Sequence, residues 1–228
     1  MDLISGVLFD MEHSGFGFET VKQAVRYFDA ADLPAIVRVP SKAYDHMARV
    51  ADMGAEGVMV PMVDTADEAR ALVANIKYPP IGRRGVALGV AHDAYASTGS
   101  VADRLTAANE RICLFAQIET ESGVTNADAI AAVEGVDSLF IGRGDLTAAF
   151  GDETKDPPAV LRAVELIAEA GRKANKPISV YVGNATEAEW LGSRGATVFV
   201  LNSDQGFLRQ AATSNLKDVR GKVSSAAA

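Results

Sequence analysis

The stretch L-F-A-Q-I-E-T-E-S-G at 114–123, followed after a short helix-like run (126–133) by G-V-D-S-L-F-I-G-R-G-D-L-T at 135–147, decides how this 228-residue chain folds. Its two apolar runs, 114–118 and 138–141, are strands, each leading to a carboxylate, Glu119 and Asp145. The intervening chain holds one helix and two turns, the length of a crossover between parallel neighbours. Neighbouring parallel strands finish on the same edge, so the two acids share one rim. Two hard oxygen ligands there, with Gly142 and Gly144 admitting a close backbone, suit a divalent cation. The plainer alternative is a pair of solvated strand-end acids.

Working outward, the same rhythm recurs. G-V-L-F-D (6–10), A-I-V-R-V-P (35–40), G-V-M-V-P-M-V (57–63), P-I-S-V-Y-V (177–182) and A-T-V-F-V-L (196–201) are near-continuous apolar runs. Helical patterns separate them. Capping boxes are expected at Thr20/Gln23, Thr65/Glu68 and Thr186/Glu189, with helices reaching about Ala31 and Ile76 for the first two. A further helix is expected over about 43–53. Residues 77–100, rich in Pro and Gly, form a long ordered loop before a helix near 101–109. A loop holding Asp152 and Asp156 precedes Pro157, the expected first residue of the next helix. Strands covered on both faces mean a parallel sheet with helices outside it. No G-x-G-x-x-G follows the first strand, and polar residues recur at strand ends (Asp10, Glu12, Arg38, Asp64, Glu119, Asp145, Asn202), which favours a TIM-type (β/α)8 barrel over a doubly wound sheet. Only seven strands are counted. Either the first βα unit is missing from this chain, or the barrel is open there, or a neighbouring chain fills the gap. One barrel domain spans 1–223, and the tail S-S-A-A-A (224–228) is expected to fray.

Composition limits the function. Hydrophobic residues make up 48% and charged residues 23%, the profile of a soluble chain with a large core. A formal net charge of −8 argues against nucleic acid or an anionic membrane as partner. The single cysteine, Cys113, excludes an intrachain disulfide and fits a reducing, cytoplasmic setting; no signal peptide or membrane span is evident.

Several side chains are candidates for chemistry. His13, in D-M-E-H, titrates in the range needed to take and return a proton, or is a loop histidine held by a hydrogen bond. Arg38 keeps its charge inside an apolar barrel and must meet an anion, a structural acid or a substrate oxyanion. His46 reads as surface, His92 as a loop residue able to line the pocket, Trp190 as packing, and Asp52 as a solvated acid late in its helix.

D-M-E-H (10–13), V-R-V-P (37–40), V-P-M-V-D-T-A-D-E-A-R (60–70), Y-P-P-I-G-R-R-G-V (78–86), Q-I-E-T (117–120) and V-E-G-V-D-S-L-F-I-G-R-G-D-L (133–146) occur in order, and together the chain resembles the HpcH/HpaI aldolases over roughly 5–215. The resemblance implies a metal-dependent class II pyruvate aldolase acting on 4-hydroxy-2-oxo acids, built as a (β/α)8 barrel and usually a hexamer with an exchanged C-terminal helix. It implies Glu119 and Asp145 as ligands of Mg²⁺, Mn²⁺ or Co²⁺, and Gln117 as their polar neighbour. Arg38 would contact the oxygen of the bound keto acid, and the backbone of Gly144 would meet its carboxylate. His13 would relay protons, paired with Asp52 of an adjacent subunit. The chain departs from the family in G-R-G-D (142–145), where the family has Gly-Pro-x-Asp, and in A-L-G (87–89), where a serine-containing run is usual.

The expected activity is reversible aldol cleavage to pyruvate and an aldehyde. A cation would serve as Lewis acid, Arg38 as fixed charge at the enolate oxygen, and His13 as acceptor of the C4 hydroxyl proton. No lysine ends a strand, which argues against a Schiff base. Alternatives are a decarboxylase of oxaloacetate-like acids and a non-catalytic keto-acid-binding barrel. A CoA-ester lyase is disfavoured by the lack of a C-terminal lid segment.

Overall fold

In the computed structural model, which describes residues 4–151 and 158–226, strands and helices alternate from the first element to the last. The strands are β1 (Val7–Asp10), β2 (Ala35–Arg38), β3 (Gly57–Val60), β4 (Cys113–Ile118), β5 (Ser138–Ile141), β6 (Ile178–Val182) and β7 (Ala196–Leu201). They form one seven-stranded sheet in sequence order, every neighbour pair parallel. The sheet curls as a TIM-type barrel does. Among the described residues no ladder joins β7 to β1.

Among the described residues ten α-helices connect and flank the strands: α1 (Phe18–Asp29), α2 (Tyr44–Asp52), α3 (Ala66–Ile76), α4 (Val101–Arg111), α5 (Glu121–Thr125), α6 (Ala127–Ala131), α7 (Arg143–Ala149), α8 (Pro158–Ala174), α9 (Ala185–Gly192) and α10 (Asp204–Ala226). The outward strand residues, such as Val37, Val58, Leu114, Ala116, Ile118, Leu139 and Val180, are buried beneath Val21, Met47, Leu72, Ile76, Ile130 and Ile167 of the helices. This two-sided burial is why the strands read as unbroken apolar runs.

Several local expectations need correcting. Helix α1 starts two residues before Thr20, from an N-cap at Gly17 that uses no side chain. Helix α9 is capped by Asn184, which accepts from the Glu187 amide at 3.0 Å, so Thr186 lies inside the helix. At each of these boundaries a better-placed residue captured the helix start. Thr65 does cap α3, accepting from the Glu68 amide at 3.1 Å. The single helix expected between β4 and β5 is two short ones, α5 and α6, meeting at Asn126. His92 does not line the main cavity; it is buried against Tyr78, with Nε2 2.6 Å from the Ala87 carbonyl. His46 is half-buried, bonded to Ser41 at 2.8 Å. Helix α10 continues to Ala226, taking in three of the five tail residues expected to fray. Asp152, Asp156, Pro157 and the last two tail residues lie outside the described residues.

The inward face follows from the register, because paired residues on parallel strands share a side. Leu8 pairs with Ile36, Arg38 with Met59, Met59 with Phe115, Gln117 with Phe140, Phe140 with Ser179 and Tyr181 with Val200. Gly57 makes room on this face: a Cβ there would meet Phe115 Cε2 at 2.8 Å. Low in the interior Ser138 and Ser179 hydrogen-bond to each other at 2.7 Å, satisfying two buried hydroxyls. Above them, at the carboxyl ends of the strands, the polar residues collect.

Candidate active site

Glu119 follows directly on β4 and is 3% exposed. Its Oε1 accepts from the Met62 amide at 2.7 Å, and its Oε2 from the Gln117 side-chain amide. Met62 delivers that amide from the left-handed region (φ 58°), and the Val63 amide then binds the Gln117 carbonyl at 3.0 Å. Burial raises the Glu119 carboxyl to about 7; the Gln117 and Met62 bonds oppose the rise, while the nearby Asp145 and Glu12 add to it.

Asp145 lies not at a strand end, as expected, but in the first turn of α7, exposed above the rim. Gly142 ties that turn to β4, its amide donating to the Ile118 carbonyl at 3.0 Å. A Cβ on Gly142 would fall 2.5 Å from the Glu119 Cβ and 2.6 Å from its Oε2, so only glycine fits beside this carboxylate. Gly144 is different: a Cβ there would meet nothing within 4 Å, so no close approach requires it to be glycine. Of the two glycines in G-R-G-D, the first is the one that packing demands.

Arg38 meets a structural acid. Its guanidinium forms a two-pronged fork on Asp10, with Nε–Oδ1 at 2.9 Å and Nη2–Oδ2 at 2.5 Å, and its Nη1 lies 3.3 Å from Glu12 Oε2. Burial pushes the Asp10 carboxyl up, but the Arg38 fork and the Glu12 and His13 amides outweigh it and hold the group below its ordinary value. Glu12 shifts the other way: burial raises it, Arg38 and His13 pull it back in part, and Asp10 and Asp145 push it up again. His13 sits on the loop beyond β1, its side chain 62% exposed, with Nε2 3.6 Å from Glu12 Oε2. Glu12 therefore stands between His13 and Arg38, a link that the sequence placed on the rim but gave no role.

Asp52 is not brought to His13 within the chain. It ends α2 and pairs with Arg84, whose guanidinium is 1% exposed and lies 4.5 Å from the Tyr78 ring. Arg143, the unusual residue of G-R-G-D, reaches Glu187 of α9 at 3.1 Å, and Glu187 also accepts from the Gly183 amide at 3.0 Å. That bridge fastens the loop after β5 to the loop after β6.

Arg38, Gln117, Gly142, Gly144 and Asp145 line one cavity of about 380 Å³ together with Leu8, Met59, Phe140, Tyr181 and Val200. The volume lies in the range of small-molecule sites, about 300–1,000 Å³. A buried acceptor in this neighbourhood, Gln117 Oε1, has no hydrogen-bond donor, while Glu12 Oε2 is met only by the ion pair to Arg38 and the more distant His13 ring. An unsatisfied oxygen acceptor beside two carboxyl groups fits a hard divalent cation, which takes one or two carboxylates and completes its shell with water and substrate oxygens. Among the described residues no cluster of three or more His, Cys, Asp or Glu has metal-binding geometry.

The chain matches the family model described as HpcH/HpaI aldolase/citrate lyase over residues 4–211. It is 34% identical over 213 residues to a 5-keto-4-deoxy-D-glucarate aldolase from Klebsiella pneumoniae, covering 93% of this chain and 82% of that protein. Among solved structures, an HpcH/HpaI aldolase from Desulfitobacterium hafniense superposes with a TM-score of 0.89 at 28% identity, covering 96% of this chain and 85% of the other. A family member from Burkholderia cenocepacia gives 0.87 at 31% identity, covering 95% and 86%. A curled parallel sheet, acids gathered on its carboxyl rim and a match along nearly the whole chain lead to one conclusion: this protein belongs to the HpcH/HpaI aldolase/citrate lyase family of carbon–carbon lyases.

Proposed function

We propose that the protein is a metal-dependent aldolase that reversibly cleaves a 4-hydroxy-2-oxo acid to pyruvate and an aldehyde. The observation that carries this reading is Glu119, a buried carboxyl that makes no direct ion pair among the described residues and is raised to about 7, with Asp145 and Glu12 near it on one rim. Such a group costs free energy unless a proton or a cation joins it. Glu119 and Asp145 would hold the cation, which when bound supplies positive charge to the keto-acid oxygens as a Lewis acid.

The remaining steps fall to the chain's own residues. Arg38, fixed by Asp10, presents charge that needs no reorganisation where the enolate oxygen develops. Gln117 orients Glu119 through its amide and offers its free Oε1 to the cavity. The Gly144 backbone stands where the pyruvate carboxylate would dock. His13, open to solvent and backed by Glu12, takes the C4 hydroxyl proton as the C3–C4 bond breaks and returns it in the reverse direction. Asp52 would reach a His13 only across a subunit boundary. The exposed Leu208, Leu216, Val219 and Val223 of α10, with Leu201 on the outer face of β7, support a homo-oligomer, a hexamer by the family pattern. Mg²⁺, Mn²⁺ and Co²⁺ share these ligands, and the cytoplasm supplies all three.

Pyruvate release from a 4-hydroxy-2-oxo acid, followed with and without chelator, tests the reading; activity that survives complete metal removal refutes it. One observation favours a second reading. With Asp52 held by Arg84, Glu12 alone among the described residues pairs with the His13 side chain, and decarboxylation of oxaloacetate-like acids needs the same enolate but no such base. His13→Ala separates the two: it lowers aldol cleavage by about 10²–10⁴ and leaves decarboxylation standing.

A further inference from the structure

We infer that the protein binds one internal water molecule between the Arg84 guanidinium and the His92 ring, and that this water pins the long 77–100 loop over α2 and α4. The site is separate from the strand-end cavity and does not depend on the aldolase reading. Arg84 and His92 are 2% and 7% exposed, and both border a small cavity walled by α2 and α4, with Ala51 and Ala108 among its apolar side chains. Its volume of about 10 Å³, counted for the centre of a water molecule, is room for one.

Each side chain has one polar atom left for that space. On Arg84 the other nitrogens are engaged: Nη2 with Asp52, and Nη1 with the Ile76 carbonyl at 3.5 Å. The guanidinium lies 4.5 Å from the Tyr78 ring. None of these partners borders the cavity, and the buried Nε–H meets no acceptor. On His92, Nε2 lies 2.6 Å from the Ala87 carbonyl, which has no proton to give, so Nε2 carries the ring proton and donates it. The Tyr78 hydroxyl stands 3.1 Å from the same nitrogen. Neither of those groups borders the cavity, and in this tautomer Nδ1 is a bare acceptor, buried with no donor. Arg111 also borders the space, but its guanidinium is turned to Glu56 at 2.7 Å and Asp29 at 3.4 Å.

A buried donor and a buried acceptor on a cavity of this size need a group that accepts from the first and donates to the second. Water does both. A halide would accept from Nε–H but face the lone pair of Nδ1, and a metal cation would face the charge of Arg84. Two unpaired buried polar atoms cost more than the ordering of one water. The bridge completes a path from Asp52 through Arg84 and His92 to the Ala87 carbonyl, and so fastens the loop to the end of α2. Gly54 lets the loop lie that close, since a Cβ there would meet the Ala91 Cβ at 3.3 Å.

The test is a crystal structure of the full chain, grown in sodium bromide and at a resolution that shows ordered water. The expected result is one density peak within about 2.7–3.2 Å of both Arg84 Nε and His92 Nδ1, with no anomalous signal from bromine. His92→Phe keeps a ring in place and removes the acceptor, and the peak should be lost; Ala108→Val, which fills the cavity from α4, should also lose it and serves if the first variant does not fold. No peak in the wild type, a bromide at that position, or a peak that persists in a folded variant overturns the inference.

Discussion

Divalent-cation affinity should fall about tenfold between pH 8 and pH 6, because Glu119 must be ionised to act as a ligand. With its carboxyl raised to about 7, the group is about 90% ionised at pH 8, about half at pH 7 and about 10% at pH 6. The apparent Kd for Mn²⁺ rises in proportion, a loss of about 1.4 kcal/mol. A glutamate at its ordinary value of 4.5 would stay almost wholly ionised over this range and give a flat profile. Stability of the metal-free protein should move with the same group. A carboxyl raised in the folded state favours folding fully below the unfolded value, and that contribution is lost as pH climbs through about 7. From 4.5 to about 7 the loss is on the order of 3 kcal/mol. Titration calorimetry with Mn²⁺ at pH 6, 7 and 8, and urea unfolding in chelator at pH 5 and 8, would measure the two effects. Glu119→Gln serves as reference, since it keeps the shape and cannot titrate. Refutation would be a Kd constant within twofold from pH 6 to pH 8, or a stability difference between wild type and Glu119→Gln that does not depend on pH.

The two glycines of G-R-G-D make opposite predictions. Gly142→Ala drives a methyl into Glu119 and should lower aldolase kcat/KM by about 100-fold, whereas Gly144→Ala, facing open space, should change it less than about threefold. Steady-state kinetics on both variants, with circular dichroism to confirm folding, decide the matter. Arg84→Ala removes a guanidinium that is 1% exposed, together with its contacts to Asp52 and Tyr78, and should cost about 3 kcal/mol in urea unfolding. Arg70→Ala, which breaks an exposed pair with Asp67, should cost less than about 0.5 kcal/mol by the same measurement. If α10 mediates assembly, Leu208→Glu should reduce the mass seen by light scattering, while an unchanged mass would place the subunit contacts elsewhere.

The sheet was legible because its signal is periodic and long. Fully covered strands such as 57–60 and 138–141 have no polar face to interrupt them, and each is separated from the next by helical pattern. Helix starts were less legible, since Gly17 and Asn184 won positions that Thr20 and Thr186 could also have filled; the choice depends on where the preceding strand releases the chain. At the site, Glu119 could be found because it follows directly on its strand, and Arg38 because a charge in an apolar run demands an anion. Which anion it would meet was open, and Asp10 is the answer in the folded chain. Gly142 carried a signal that was shared with Gly144, and only the distance to Glu119 separates them. Glu12 is placed on the rim by its alternation with Asp10 but nothing in the sequence gives it a role, and Tyr181 has no distinguishing pattern, being an aromatic residue in a strand. The Arg84–Asp52 pair joins residues 32 positions apart through a loop whose path the sequence does not encode locally.

Asp10, Glu12 and Glu119 gather about the guanidinium of Arg38, with Asp145 beside Glu12 and Glu119. Before a cation arrives, that ensemble repels an incoming anion, and Asp10 already occupies the fork that would greet it. On the proposed reading ligand entry would then be sequential and not random: the inorganic ion would load first, and the keto acid would follow once the electrostatic barrier has been inverted.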